Sequence, residues 1–323
     1  MINNPPVLAI SITEVSKKYP KKGVQALKDI NLDIPEGEFF ALLGSNGAGK
    51  TTLINILTDL VTKSSGKVLI KGIDIDKDFV TAKTYLGVVP QEFNFGMFDT
   101  CLDICVTQAG YYGISRDIAV PRATQILTDL GLKDKLKNVS RTLSGGMKRR
   151  LMIARSLMHN PQILILDEPT AGVDVQLRMG MWEYLQKINK ENGVTILLTT
   201  HYLEEVEALC TRAAIIKDGQ IVRLDTVKNL IQSLDKESYI IDIEPTSHTE
   251  SAINNTDKFI LKSIDDTSLE VEIKTTQTIN DLIQYLTTQK IIVKGLRPKE
   301  NRLETLFINT LKNPTTNLKE KLN

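Results

Sequence analysis

"GSNGAGKTT", Gly44 to Thr52, decides how the rest of the chain is read. It follows the short apolar run "FFALL" and opens "KTTLINILTDLV", in which Leu53, Ile56, Leu57 and Leu60 recur at helical spacing. Gly44-Ser45-Asn46-Gly47-Ala48-Gly49-Lys50-Thr51 fits the pattern G-x-x-x-x-G-K-[ST] in the strand-then-helix setting that pattern requires. A polyphosphate needs several backbone N–H groups pointing inward, and a helix N-terminus adds more. Glycines let the backbone curl with no Cβ in the way. Lys50 is expected to neutralise the β and γ phosphates and Thr51 to hold Mg²⁺, with Thr52 closing the contact stretch. A glycine turn made for packing alone leaves Lys-Thr at the helix start unexplained.

Working outward, "QILILDEP" reads as an apolar strand that delivers Asp167 and Glu168 to its end. Ligands bind at such sheet edges in open α/β folds. Asp167 is expected in the Mg²⁺ shell. Glu168 is expected to orient or deprotonate an attacking water, since phosphoryl transfer depends on positioning and charge stabilisation. The plain alternative for this acid pair is a helix cap before Pro169.

Strands and helices alternate from "FFALLG" onward: "YLGVVPQ", "TQILTDLGL", "GMKRRLMIARSLM", "LRMGMWEYLQKINKENG", "VTILLTTH" and "YLEEVEALC". That alternation indicates a doubly wound α/β core. "LAISITEVSKKY" and "KDINLDIPEGEFF" add antiparallel strands at the start, and "AAIIKDGQIVRL" reads as a hairpin turned at Asp218-Gly219. The pattern becomes helical from about Phe93 to Ala154. Composition shifts near Asp235, giving expected domains of 1–235 and 236–312 and a polar tail, 313–323. The second domain reads as small and α+β, of a ferredoxin-like kind, with four strands and two helices.

The chain has 323 residues, 40 Lys+Arg against 39 Asp+Glu and a net charge of +1, so no global field argues for nucleic acid. Lys17, Lys18, Lys21 and Lys22 read as a solvated surface. Three cysteines, Cys101, Cys105 and Cys210, form no CxxC pair and suit packing in a reducing compartment. No N-terminal leader pattern and no apolar run long enough to span a bilayer is visible.

"LSGGMKRRLMIARSL" raises a second question, because one nucleotide needs one cradle and this is another glycine turn before another helix. The stretch resembles the signature sequence of ATP-binding-cassette (ABC) proteins. The other motifs of that family stand in the same order: Tyr19 resembles the adenine-stacking aromatic, Gln91 in "VVPQE" the Q-loop glutamine, Asp174 in "AGVD" the D-loop, and His201 after "ILLTT" the switch histidine. The resemblance covers roughly residues 7 to 230. It implies a head-to-tail homodimer in which each ATP lies between one chain's phosphate loop and the other's Ser144, Gly145 and Gly146. It also implies Gln91 as Mg²⁺ ligand and sensor of a partner. Met147 stands where many members have Gln, outside the phosphate contact.

"VVPQEFNFGMFDT", "QAGYYG" and "EPTAGVDVQLRMGMWEYL" are similar to YadG-type ATPases of the drug-resistance and nodulation branch of type-two ABC exporters. That resemblance implies an ATPase subunit that powers a separate multi-span permease from the inner face of the cell membrane, and a small C-terminal domain like residues 237 to 312. From the residues themselves, Phe93, Phe95, Met97, Phe98, Tyr111 and Tyr112 crowd a chain that is 5% aromatic. They read either as a subdomain core or as a groove for a permease helix. A non-transport ATPase module that regulates a soluble partner is the alternative. A kinase-like phosphotransferase would leave the signature unexplained.

Overall fold

The computed structural model of the chain describes residues 6–20, 23–234, 236–245, 259–274, 277–299 and 301–312. Two compact units meet in the chain at Thr226 and Val227. The expected polar tail, 313–323, lies outside the described residues.

The first unit runs β1 (Leu8–Tyr19), β2 (Val24–Pro35), β3 (Phe39–Leu43), α1 (Lys50–Leu57), β4 (Ser65–Ile70), β5 (Ile73–Asp74), α2 (Phe79–Ala82) and β6 (Leu86–Val89). It continues with α3 (Cys101–Tyr111), α4 (Arg116–Asp129), α5 (Gly145–Ser156), β7 (Ile163–Asp167), α6 (Val175–Asn192), β8 (Thr195–Thr199), α7 (Leu203–Leu209), β9 (Arg212–Lys217) and β10 (Gln220–Thr226). One sheet has the order β2-β1-β4-β5 and is antiparallel. The other has the order β10-β9-β3-β8-β7-β6, with β9 to β6 parallel and β10 antiparallel at the edge.

The apolar runs explain the second sheet. Every residue of β3, β7 and β8 is buried, as expected where crossover helices cover both faces of a parallel sheet. The carboxyl ends of β3, β6, β7 and β8 then lie along one edge, and the phosphate loop, Gln91, the Asp167–Glu168 pair and His201 each stand at one of those ends. The β1–β2 hairpin packs its alternate residues, among them Ile10, Ile12, Leu27 and Ile30, into the same core as Phe40, Leu53 and Ile165.

The helical part departs from the sequence reading in one place. The pattern predicts helix from about Phe93, but α3 starts only at Cys101, capped by the Thr100 hydroxyl on the Asp103 N–H at 3.1 Å. The preceding loop is pinned from outside. Arg155 Nη1 and Nη2 donate to the Asn94 carbonyl and side-chain oxygens at 3.2 and 2.6 Å. The Ser140 hydroxyl donates to the Gly96 carbonyl at 2.8 Å, and the Ser140 and Arg141 N–H groups donate to Asp99 and Met97. Tertiary bonds thus take the place of helical ones. Cys101 and Cys105 lie on α3 with no exposed surface, and Cys210, which closes α7, is also buried.

The second unit runs α8 (Val227–Gln232), β11 (Lys236–Ile243), β12 (Ile260–Asp265), β13 (Ser268–Lys274), α9 (Ile279–Thr288), β14 (Val293–Pro298) and α10 (Arg302–Lys312). Its sheet is antiparallel throughout, in the order β12-β13-β11-β14. The first two strands in sequence are therefore split by the third, which is the ferredoxin-like arrangement. Alternation decides its faces: Tyr239, Ile241, Ile243, Leu269, Val271 and Ile273 pack with Leu282 and Leu286 of α9. A capping box between Thr278 and Asp281 starts α9.

Candidate active site

Chain geometry at the end of β3 dictates glycine. A Cβ on Gly44 would stand 2.6 Å from the Ile216 carbonyl oxygen. Gly49 has φ +116°, and its Cβ would meet the Ala26 carbonyl oxygen at 2.8 Å. The loop can therefore lie against β2 and β9 only with those side chains missing. Lys50 is the first residue of α1 and is 8% exposed. Its Nζ donates to the carbonyls of Gly44 at 2.6 Å and Ser45 at 3.2 Å. Burial pushes its pKa down, and the nearby carboxylates of Glu168 and Asp167 oppose that shift.

Asp167 ends β7 and is 7% exposed. It accepts a short hydrogen bond from the Thr199 hydroxyl at the end of β8. Burial raises its pKa and the Thr199 bond works against that rise. The next residue, Glu168, has φ +50°, a left-handed conformation that a non-glycine residue adopts at some cost. That turn takes the chain sharply out of the strand. The Glu168 N–H donates to the Thr199 carbonyl at 3.0 Å.

Two side chains converge on one oxygen of Glu168. Gln91, just past β6, donates from Nε2 to Oε2 at 3.1 Å. His201, just past β8, holds Nδ1 3.5 Å from the same Oε2. Three strand ends thus meet at one carboxylate.

A cleft of about 600 Å³ runs along this edge. Of the residues expected from sequence, Ser45, Asn46, Gly47, Gly49, Lys50, Thr51, Thr52, Gln91, Asp167 and Glu168 line it. Val24, Gln25, Ala26 and Lys28 of β2 and Asp218 and Gly219 of the β9–β10 turn line it too. Sequence reasoning assigns none of these six to the site. The turn is recognisable as a hairpin, yet only the fold shows that the Gly219 N–H donates to the Ala48 carbonyl at 3.0 Å.

Gly44, Ala48, Tyr19, His201, Ser144, Gly145, Gly146 and Asp174 are not among the lining residues. Tyr19 ends β1, and Lys17 Nζ lies 4.9 Å from its ring centroid. Ser144 caps α5, its hydroxyl accepting from the Met147 N–H at 3.3 Å. Asp174 likewise caps α6 through the Leu177 N–H at 3.0 Å. The second glycine turn therefore exists as a helix N-terminus, separate from the cleft built around the first.

Comparison with known proteins agrees with this geometry. The "ABC transporter" family model matches residues 27–171. The linearmycin resistance ATP-binding protein of Bacillus subtilis (strain 168) is 35% identical over 306 residues, covering 91% of this chain and 96% of that protein. That alignment is longer than the first unit and so continues into the second. The Nod factor export ATP-binding protein I of Burkholderia thailandensis is 37% identical over 227 residues, 70% of this chain and 74% of that one. A dimeric ATP-binding cassette in a post-hydrolysis state bound to ADP and Pi superposes with a TM-score of 0.63 at 29% identity, covering 68% of this chain and 98% of that one. These relatives do not favour a non-transport module. The chain belongs to the ABC transporter family, as an ATPase subunit related to the drug-resistance and nodulation branch of exporter ATP-binding proteins.

Proposed function

We propose that two copies pair head to tail with MgATP between them and that hydrolysis drives a separate multi-span permease. The observation that carries this reading is the convergence of Gln91 and His201 on Glu168, beside Lys50 and Asp167 on the same sheet edge. The unit that ends at Thr226 acts as the ATP-binding domain, nine residues shorter than the boundary at 235 expected from composition, and the unit from Val227 is a second domain that the linearmycin-resistance relative's alignment reaches.

Lys50 and the loop N–H groups of Gly44 to Thr52 hold the β and γ phosphates. Tyr19 stacks on the base. Thr51, Gln91 and Asp167 offer oxygen donors, the class that Mg²⁺ takes, and all three line the cleft. The ion would supply charge neutralisation to the phosphates. Glu168 accepts the proton of the attacking water as its oxygen bonds to the γ phosphorus and the bond to the ADP oxygen breaks. His201 holds the Glu168 carboxylate in place. Ser144, Gly145 and Gly146 complete the partner copy's site as a second helix N-terminus, with Asp174 at the same seam.

Among the described residues no helix is long and apolar enough to cross a membrane. The membrane partner is a separate chain in this reading, and the ATPase sits peripherally at the inner face through it. Phe93, Met97 and Phe98 are 45, 61 and 72% exposed on the loop that follows Gln91, which suits a contact that reports to the site.

Glu168→Gln tests the chemistry. It should bind ATP and dimerise while turnover falls by roughly a hundredfold or more, the scale of a lost general base. Normal turnover would remove Glu168 from its role. A pull-down from detergent-solubilised membranes of the source cell tests the partner: a stoichiometric multi-span protein is expected, and only soluble partners would sink the exporter reading.

A further inference from the structure

In the sequence Arg149 is one cation of a basic run. In the fold it is 4% exposed. Its guanidinium forks onto two successive carbonyls, Nη1 to Pro90 and Nη2 to Gln91, each at 2.9 Å. The Phe93 ring covers it, with Cζ 5.1 Å from the ring centroid. Its Nε has no hydrogen-bond partner among the described residues. No carboxylate forms an ion pair with it among those residues, although the charges of Glu168 and Asp167 reach it through space.

This is an expensive place for a cation, and a surface role does not account for it. The connections on either side do. Arg149 lies little more than one turn into α5, whose first residues are Gly145 and Gly146 after the Ser144 cap. On its other side is the Gln91 backbone, and the Gln91 side chain donates to Glu168 Oε2. The second phosphate cradle and the hydrolytic carboxylate are therefore joined through one planar side chain. A fork fixes both the position and the tilt of the peptide it grips, which a lysine cannot do.

We propose that Arg149 is the positioning residue that couples the two nucleotide sites of the dimer. When the partner's nucleotide seats against Ser144 and Gly146, α5 shifts as a rigid rod. The guanidinium carries that shift to Gln91, which sets Glu168 in the chain's own site. This rests on the head-to-tail reading given above.

The test uses the full chain and its Arg149→Lys and Arg149→Gln variants. ATPase rate is measured against MgATP concentration, together with MgATP binding by calorimetry and the melting temperature. The wild type should be cooperative, with a Hill coefficient approaching the two sites of a dimer. Arg149→Lys should bind MgATP within about twofold of wild type, turn over roughly tenfold slower and lose its cooperativity. A cooperative wild type with an equally cooperative Arg149→Lys would overturn the coupling alone. A fall in rate that follows lost melting temperature and lost binding in both variants would overturn it in favour of a structural role. A wild type with a Hill coefficient of one would overturn the two-site reading itself, and the coupling with it.

Discussion

In the first unit Lys50, Arg149, Asp167, Thr170, Thr199, Thr200 and Glu205 are all buried, whereas in the described part of the second no charged side chain is. Both units are sheets covered by helices, and both bury apolar residues at the period of their elements. They differ in what else they bury. A desolvated polar group costs stability unless it is bonded, so its presence marks a place where shape alone was not the requirement. The second unit reads as a body optimised for holding together, the first as one that keeps charge inside for use.

Glu205 illustrates the difference. It has no exposed surface, and its carboxylate accepts from Thr170 at 3.2 Å and from Trp182 Nε1 at 2.9 Å. It ties the segment after Glu168 to α6 and α7. Exposed charged pairs occur on both units, Arg116 with Asp103 at 3.9 Å in the first and Lys294 with Glu244 at 3.2 Å in the second.

Leu282→Ala removes a fully buried side chain from the second core and should destabilise that unit by about 2–5 kcal/mol. Scanning calorimetry should show the loss with MgATP affinity unchanged; a parallel loss of affinity would mean that the second core contributes to nucleotide binding. Lys50→Ala should do the reverse. Affinity for MgATP should fall by roughly 10- to 100-fold, the worth of a charged hydrogen-bonding group, with little change in melting temperature.

A third variant sharpens the point about buried charge. Burial raises the Glu205 pKa above 4.5, while bonds from Thr200, Trp182 and Thr170 pull it down. A carboxyl whose pKa rises on folding contributes stability below the unfolded value, and that contribution fades as pH climbs through the folded one. Glu205→Gln has no such titration. Its stability should therefore vary less with pH than that of wild type between pH 4.5 and neutrality. Each tenfold difference in proton affinity between the folded and unfolded carboxyl is worth about 1.4 kcal/mol. Identical pH slopes in chemical denaturation would mean that Glu205 stays ionised in the fold. The smallest effect belongs to Arg297→Ala, which breaks an exposed 3.8 Å pair with Asp242 in the second unit. A change of about 0.5 kcal/mol or less in chemical denaturation is expected.

Much of this is legible in the sequence because local and tertiary demands coincide. Buried parallel strands must be apolar throughout, so β3, β7 and β8 announce themselves as unbroken runs, and the loop after β3 must carry glycine where neighbours leave no room. Gln91, Glu168 and His201 can be found because each directly follows a readable strand. Arg149 and Glu205 escape notice for the opposite reason. "KRR" and "EEVE" stand in stretches that the sequence marks only as helical, and it is the packing of α5 against the loop after β6, and of α7 against α6, that turns Arg149 and Glu205 inward. The short α2 escapes as well. It is one turn long, held by the Asp78 side chain on the Thr81 N–H at 3.0 Å, and carries too little periodicity to register.

The three buried cysteines give the protein a use as its own clock. Burial raises the thiol pKa of Cys101, Cys105 and Cys210, most strongly at the last two, so the folded chain should be nearly inert to maleimides. Label enters only when a segment opens. Cys101 and Cys105 time the opening of α3, and Cys210 times the joint between α7 and β9. The order in which they take up label, with and without MgATP, would rank how firmly each half of the cassette is shut.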